Sequence, residues 1–133
     1  MIQKTNKKPN RKINRKSKLD KLFSKYIKQR DGGLSFFKCI SCGQVKPITQ
    51  FNAGHFWSRR YMATRYDEKN VNGQCVYCNF HLKGNIQGYA NGLMKKYGQN
   101  ILEYLDIKRN NTCKMGAFEF DLLIEEYKGK LKK

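Results

Sequence analysis

The sequence predicts a small α+β domain in which short strands surround a cysteine-rich centre and helices flank it. Three observations carry this. Cys39-Ile-Ser-Cys42 and Cys75-Val-Tyr-Cys78 form two Cys-x-x-Cys pairs. Short β-prone segments lie beside both pairs. Apolar residues recur at helical spacing on either side of them.

The chain's 133 residues amount to one domain's worth of sequence. Apolar residues make up 39%, below the roughly 45–50% usual for globular chains, so burial needs help from another source. The formal net charge is +18, from 28 Lys and Arg against 10 Asp and Glu. Such an excess seeks polyanions, and nucleic acid is the expected one because each neutralised phosphate releases counterions. An acidic protein partner is the alternative. No apolar run is long enough to span a membrane, and the basic N-terminus is not followed by the apolar stretch of a signal peptide. An intracellular location is therefore expected, where cysteines bind metal more often than they form disulfides.

Residues 1–17 read as a basic, disordered tail, and 18–133 as a single domain. From Lys18 to Arg30, Leu19, Leu22, Phe23, Tyr26 and Ile27 recur at steps of three and four with lysines between them. This predicts a helix with one apolar stripe and a basic face, ended by Asp31-Gly32-Gly33. Residues 34–55 read as short strands and turns, with a turn at Val45-Lys46-Pro47. Residues 56–70 read as a basic loop, and Val71–Cys75 as a short strand or turn. A helix is expected from about Cys78 past Gly84. Tyr89, Leu93, Met94 and Tyr97, followed by Ile101, Leu102 and Leu105, predict two further helices broken at Gly98. A last helix is expected from about Phe118 to Leu131.

The two-residue gap within each cysteine pair lets both thiolates reach one tetrahedral ion, and Cys39, Cys42, Cys75 and Cys78 together close a four-sulfur shell, as in structural zinc sites. Free thiols or disulfides are the alternatives. Gly43 fits the tight turn after the first pair, and binding the ion would add folding energy that a small core lacks. Cys113 stands apart and reads as an ordinary buried thiol. Residues 43–74, between the pairs, are too many for a simple zinc ribbon, and they contain His55 in Ala53-Gly54-His55-Phe56. An imidazole titrating near neutrality can take a proton from water. His55 can also be merely structural. Asn70 can cap a turn and Asn79 a helix.

His55, Asn70 and Asn79, bracketed by the two cysteine pairs, resemble the motif of the HNH, or His-Me finger, nucleases, which implies a small ββα-metal core. The resemblance implies that His55 is the general base and that Asn70 holds its imidazole through a side-chain hydrogen bond. It implies that Asn79 places an oxygen on one catalytic divalent cation, magnesium or manganese. Many members carry an acid immediately before the catalytic His, where this chain has Gly54. His81 is the first substitute as metal ligand, with Asp67 and Glu68 next.

The segment from Cys39 to about Gly98 is similar to the phage lambda Rap (NinG) recombination-protein family. The similarity lies in Cys39-Ile-Ser-Cys42-Gly43, Ala53-Gly54-His55, Asn70, Gln74-Cys75-Val76-Tyr77-Cys78-Asn79 and His81-Leu82-Lys83-Gly84-Asn85. In that family the Gly-His pair is usual. The resemblance implies a phage or bacterial endonuclease that cuts branched DNA, Holliday junctions and D-loops, with recombination proteins as partners. The Cys-Asn order after the second pair is similar to the phage endonuclease VII family, whose members are dimers, and this implies a homodimer. Branched DNA calls for many phosphate contacts. Lys18, Lys21, Lys25, Arg59, Arg60, Arg65 and Lys83 are the candidates. Trp57, Tyr61 and Tyr66 either stack on exposed bases or belong to the core. A non-catalytic zinc module that binds nucleic acid, or a basic adaptor that docks a recombinase, is the competing reading.

Overall fold

The computed structural model describes residues 11–131, with side chains from Asn14 to Leu131. The first ten residues of the expected tail lie outside the described residues. Among the described residues five α-helices and four strands run in the order α1 (Arg11–Asp31), β1 (Phe36–Lys38), β2 (Val45–Pro47), β3 (Phe51–His55), α2 (Met62–Arg65), β4 (Val71–Cys75), α3 (Ile86–Tyr97), α4 (Ile101–Arg109) and α5 (Ala117–Leu131). The strands make two antiparallel pairs, β1–β2 and β3–β4. The fold is thus a mixed α+β domain, as expected.

α1 buries Leu19, Phe23 and Ile27 against Phe120, Ile124 and Tyr127 of α5 and Val71 of β4. The expected stripe is therefore the main core. Lys18, Lys21, Lys25 and Lys28 remain exposed on the other side. The helix starts at Arg11, inside the segment expected to be tail. Its added turns are tied to α5, where Arg15 Nε donates to Asp121 Oδ1 at 3.0 Å. That partner is 106 residues away in sequence and invisible to a local reading.

Val45–Pro47 is a strand and not the expected turn. It pairs back on β1, with Phe36 opposite Pro47 and Lys38 opposite Val45. The turn of this hairpin is the first cysteine pair itself. The Cys39 N–H donates to the Gln44 carbonyl, and the Gly43 N–H donates to that of Cys39. Gly43 has φ of +72°, a conformation that costs glycine little.

β3 and β4 are paired from Phe51–Cys75 to His55–Val71. After β4 the chain makes one π-helical turn, Tyr77–His81. The helix expected past Gly84 stops there because Lys83, Gly84 and Asn85 all have positive φ, and no right-handed helix continues through such residues. Asn85 then caps α3 by accepting the Gly88 N–H. The break at Gly98 separates α3 from α4 as expected, and Tyr89, Leu93, Ile101 and Leu105 form their shared core. The expected basic loop contains the short α2. Cys113 is exposed, not buried. It lies between α4 and α5, flanked by exposed Thr112 and Lys114, and no apolar surface covers it.

α3 docks on the first cysteine hairpin through two glycines. A Cβ on Gly92 would collide with the Ile40 carbonyl oxygen, and one on Gly88 with that of Ser41. Only side-chain-free positions admit the hairpin backbone this closely. Among the described residues no helix is long and apolar enough to cross a membrane.

Candidate functional site

The β1–β2 turn brings Cys39 and Cys42 together. The end of β4 and the π-helical turn bring Cys75 and Cys78. Their four sulfurs lie within 4.8 Å of one another. Cys42 Sγ is 4.0 Å from Cys75 Sγ, about twice a disulfide bond length and close to the spacing of two sulfurs on one tetrahedral zinc. Burial pushes the Cys78 thiol up to about 12, so its thiolate form calls for a cation. Backbone N–H groups of Cys75 and Cys78 and the Asn85 amide donate to sulfurs of the cluster. Four thiols with sulfur-directed donors fit a structural zinc ion.

His55 ends β3, and its Nε2 is 3.2 Å from the Arg65 carbonyl oxygen. A carbonyl only accepts, so Nε2 carries the proton and Nδ1 keeps the lone pair. Burial, then the positive charge of Arg59, pushes the imidazole down to about 4. The ring is therefore neutral at pH 7, and its Nδ1 lone pair is unprotonated but weakly basic.

The carbonyl that fixes this tautomer is itself anchored. Arg65 Nε and Nη2 both donate to the Asp20 carboxylate, at 3.1 and 2.6 Å, and its Nη1 donates to the Arg59 carbonyl. Tyr66 donates to the same carboxylate at 2.7 Å. Burial opposes charge on Asp20, but the Arg65 and Tyr66 hydrogen bonds outweigh it and hold the carboxyl below its usual range. Arg65, expected on DNA, is buried in this pair and faces no solvent groove. The reason is Asp20, an acid in the middle of a basic helix whose role local sequence does not reveal.

Asn70 is fully buried, and it holds backbone where an imidazole contact was expected. Its Oδ1 accepts the Trp57 N–H, and its Nδ2 donates to the carbonyls of Trp57 and Thr64. It therefore clamps the loop that leaves His55. Gly54 is dictated by packing. A Cβ there would collide with Gln74 Oε1. The Gly54 carbonyl accepts from the buried Tyr89 hydroxyl at 2.6 Å.

An open cleft of about 430 Å³ runs between α1 and β3, lined by Lys25, Lys28, Asn52, Ala53, Arg59 and Asn79, among others. His55 is not among its lining residues; it lies two positions along β3 from Ala53, on the same face of the strand. Asn52 Nδ2 is buried without a hydrogen-bond partner, a donor that lacks an acceptor. Neither Asn52 nor Lys28 belongs to the motifs of the sequence. Their signal is the register of β3 and the basic face of α1.

Other expected residues are placed elsewhere. His81 is exposed and tilted against Tyr77, ring centroids 5.4 Å apart, and it does not line the cleft. Asp67 is engaged by Lys108 and Tyr104, and Glu68 by Tyr127 and Lys130. Neither carboxylate is free to replace an acid before His55. Among the described residues, the four cysteines are the only cluster of three or more His, Cys, Asp or Glu set to share an ion. For a second, catalytic cation the cleft offers amide oxygens such as that of Asn79, a sparse donor set. Lys83 is exposed in its positive-φ turn, and Arg60 is exposed beside Tyr61. Trp57 is stacked beneath Arg109 at 3.9 Å, and Tyr66 packs on the main core. For these two aromatics the core alternative holds.

The profile of the family described as "Bacteriophage Lambda NinG protein" matches residues 1–133. "Protein ninG" of Escherichia phage lambda is 32% identical over 108 residues, covering 80% of this chain and 50% of the relative. "Protein ninG" of Salmonella phage P22 is 34% identical over 110 residues, covering 80% and 51%. "Protein ninG" of Escherichia phage 933W is 32% identical over 108 residues, covering 80% and 51%. The chain thus spans about half the length of these curated relatives. No solved structure matches it. The chain belongs to the phage lambda NinG family.

Proposed function

We propose that this chain is an HNH-type endonuclease that cuts branched DNA, Holliday junctions and D-loops among them, within recombination. The observation that carries the reading is His55, a neutral imidazole with its Nε2 proton fixed on the Arg65 carbonyl and the Nδ1 lone pair left unprotonated. In this reading Nδ1 takes the proton of the attacking water. Lys25, Lys28 and Arg59 hold the phosphate, and the unpartnered Asn52 amide donates to one of its oxygens. A magnesium or manganese ion would sit at Asn79 and supply charge stabilisation there, with phosphate oxygens and water completing its shell. The β3–β4 hairpin followed by the cysteine-bearing turn supports the reading as the strands and turn of a ββα-metal core.

One observation favours a second reading, a zinc module that binds DNA without cutting it. No carboxylate accompanies Asn79 in the cleft. The experiment is cleavage of labelled four-way junction and linear duplex with magnesium or manganese added. The nuclease reading expects the junction to be cut, and His55→Ala to bind it without cutting. Equal cutting by the variant overturns the assignment of His55. Binding without cutting under either metal moves the conclusion to the second reading.

A further inference from the structure

We infer that a second basic groove, built by the first cysteine hairpin and α3, holds the phosphates of a second duplex arm. This rests on the branched-DNA reading above, but on binding alone and not on cutting.

The groove has a volume of about 840 Å³, and its lining includes Arg30, Asp31, Lys38, Asn91, Lys95 and Lys96. It shares no lining residue with the cleft between α1 and β3. The cleft borders β3, whereas the groove borders β4 at Asn72 and Gly73. The Ile40 N–H of the first hairpin donates to the Gly73 carbonyl, which places the groove beyond the outer edge of β4. The two therefore open at opposite edges of one hairpin.

The charge in the groove is only partly compensated. Asp31 is its one carboxylate, and it is engaged by Arg30, by Lys96 and by the Gly73 N–H. Lys38 and Lys95 are exposed and pair with no carboxylate among the described residues. Their cations come from different elements, β1 and α3, and are brought to one groove by the Gly88 and Gly92 contacts with the hairpin backbone. The groove floor is thus tied to the cysteine cluster.

Two basic channels at opposite edges of a rigid sheet suit DNA that presents phosphates from two directions. A straight duplex lies along one of them, because duplex DNA is stiff and bending it sharply over a short site costs free energy. Two arms meeting at a branch reach both without bending. Branch selectivity then comes from geometry, with no base contact needed.

The test is equilibrium binding of the full chain to labelled four-way junction and linear duplex over a salt series, with no magnesium or manganese added. The variants are Lys38→Glu/Lys95→Glu and Lys25→Glu. The double variant is expected to weaken junction binding roughly tenfold and to lower the salt slope by about two, with linear duplex binding unchanged. Lys25→Glu, in the first cleft, is expected to weaken both. Equal weakening of both substrates by the double variant, or of neither, overturns the second-arm site. Failure of the wild-type chain to bind the junction overturns both this inference and the branched-DNA reading. Junction-selective loss in a protein that cuts nothing sustains the groove and overturns only the nuclease.

Discussion

His55 Nε2 lies 3.2 Å from the carbonyl oxygen of Arg65, ten residues downstream, and that contact decides which imidazole nitrogen is basic. Burial and the Arg59 charge depress the ring's pKa to about 4, against an ordinary value near 6.5. The sign is plain. Above pH 4 the folded ring is neutral and can accept a proton, and below it the ring is charged and cannot. The His55 resonances are therefore expected to titrate with a midpoint near 4 by NMR. In the cutting assay kcat/KM is expected to show no inflection near 6.5. A midpoint at 6.5 would refute the buried setting. His55→Ala is expected to lower the rate by about 10²–10⁴, the usual share of a general base.

Asp20 is expected to support His55 from a distance, through Arg65. The pair is largely buried, with side chains 18% and 10% exposed, and removing one partner leaves the other charge unpaired. Asp20→Ala is expected to cost about 3 kcal/mol by denaturant titration, and the double variant Asp20→Ala/Arg65→Met less than the sum of the singles. The NMR midpoint of His55 should also move in Asp20→Ala, because the Arg65 carbonyl loses its anchor. An unmoved midpoint would make Asp20 structural only.

The residues that were legible in the sequence are those whose role follows from spacing. The cysteine pairs announce their cluster, and Leu19, Phe23 and Ile27 announce the buried side of α1. Long-range pairing is what spacing does not carry. Arg65 reads as one more cation in a basic loop until α1 brings Asp20 against it, 45 residues away in sequence. Asn70 reads as a partner of His55 until the register opposes His55 to Val71 and turns the amide to the loop. Gly98 is visible as a helix break because glycine acts locally. The left-handed run at Lys83–Asn85 is not, since two of its members are ordinary residues and the turn is held by the Lys83–Phe80, Gly84–Cys78 and Asn85–Cys78 hydrogen bonds.

The cysteines divide sharply in their expected sensitivity. Metal analysis is expected to find one zinc per chain, and a strong chelator to unfold the domain, followed by circular dichroism. Cys39→Ser should abolish stoichiometric zinc. Cys113→Ser should leave both zinc content and stability unchanged, because that thiol is exposed and outside the cluster. Zinc retained in full by Cys39→Ser would dismiss the four-thiol site.

Gly54 is expected to be intolerant of any side chain for a reason found on β4. A methyl group added there would collide with Gln74 Oε1 and stand 3.0 Å from the Gln74 Cβ. Gln74 cannot swing away freely, because its Nε2 donates to Ser41 Oγ and to the Gly84 carbonyl. Those bonds join the strand to the first cysteine hairpin and to the turn after the second. Gly54→Ala should therefore cost about 2 kcal/mol through overpacking. In a Gln74→Ala background the same change should cost less than half as much, since the obstructing amide is gone. An equal cost in both backgrounds would mean that something other than Gln74 excludes side chains at Gly54. A reduced cost would show why an acid before His55 is absent, since the space such a side chain needs is filled by the glutamine that ties the strand to the cysteine cluster.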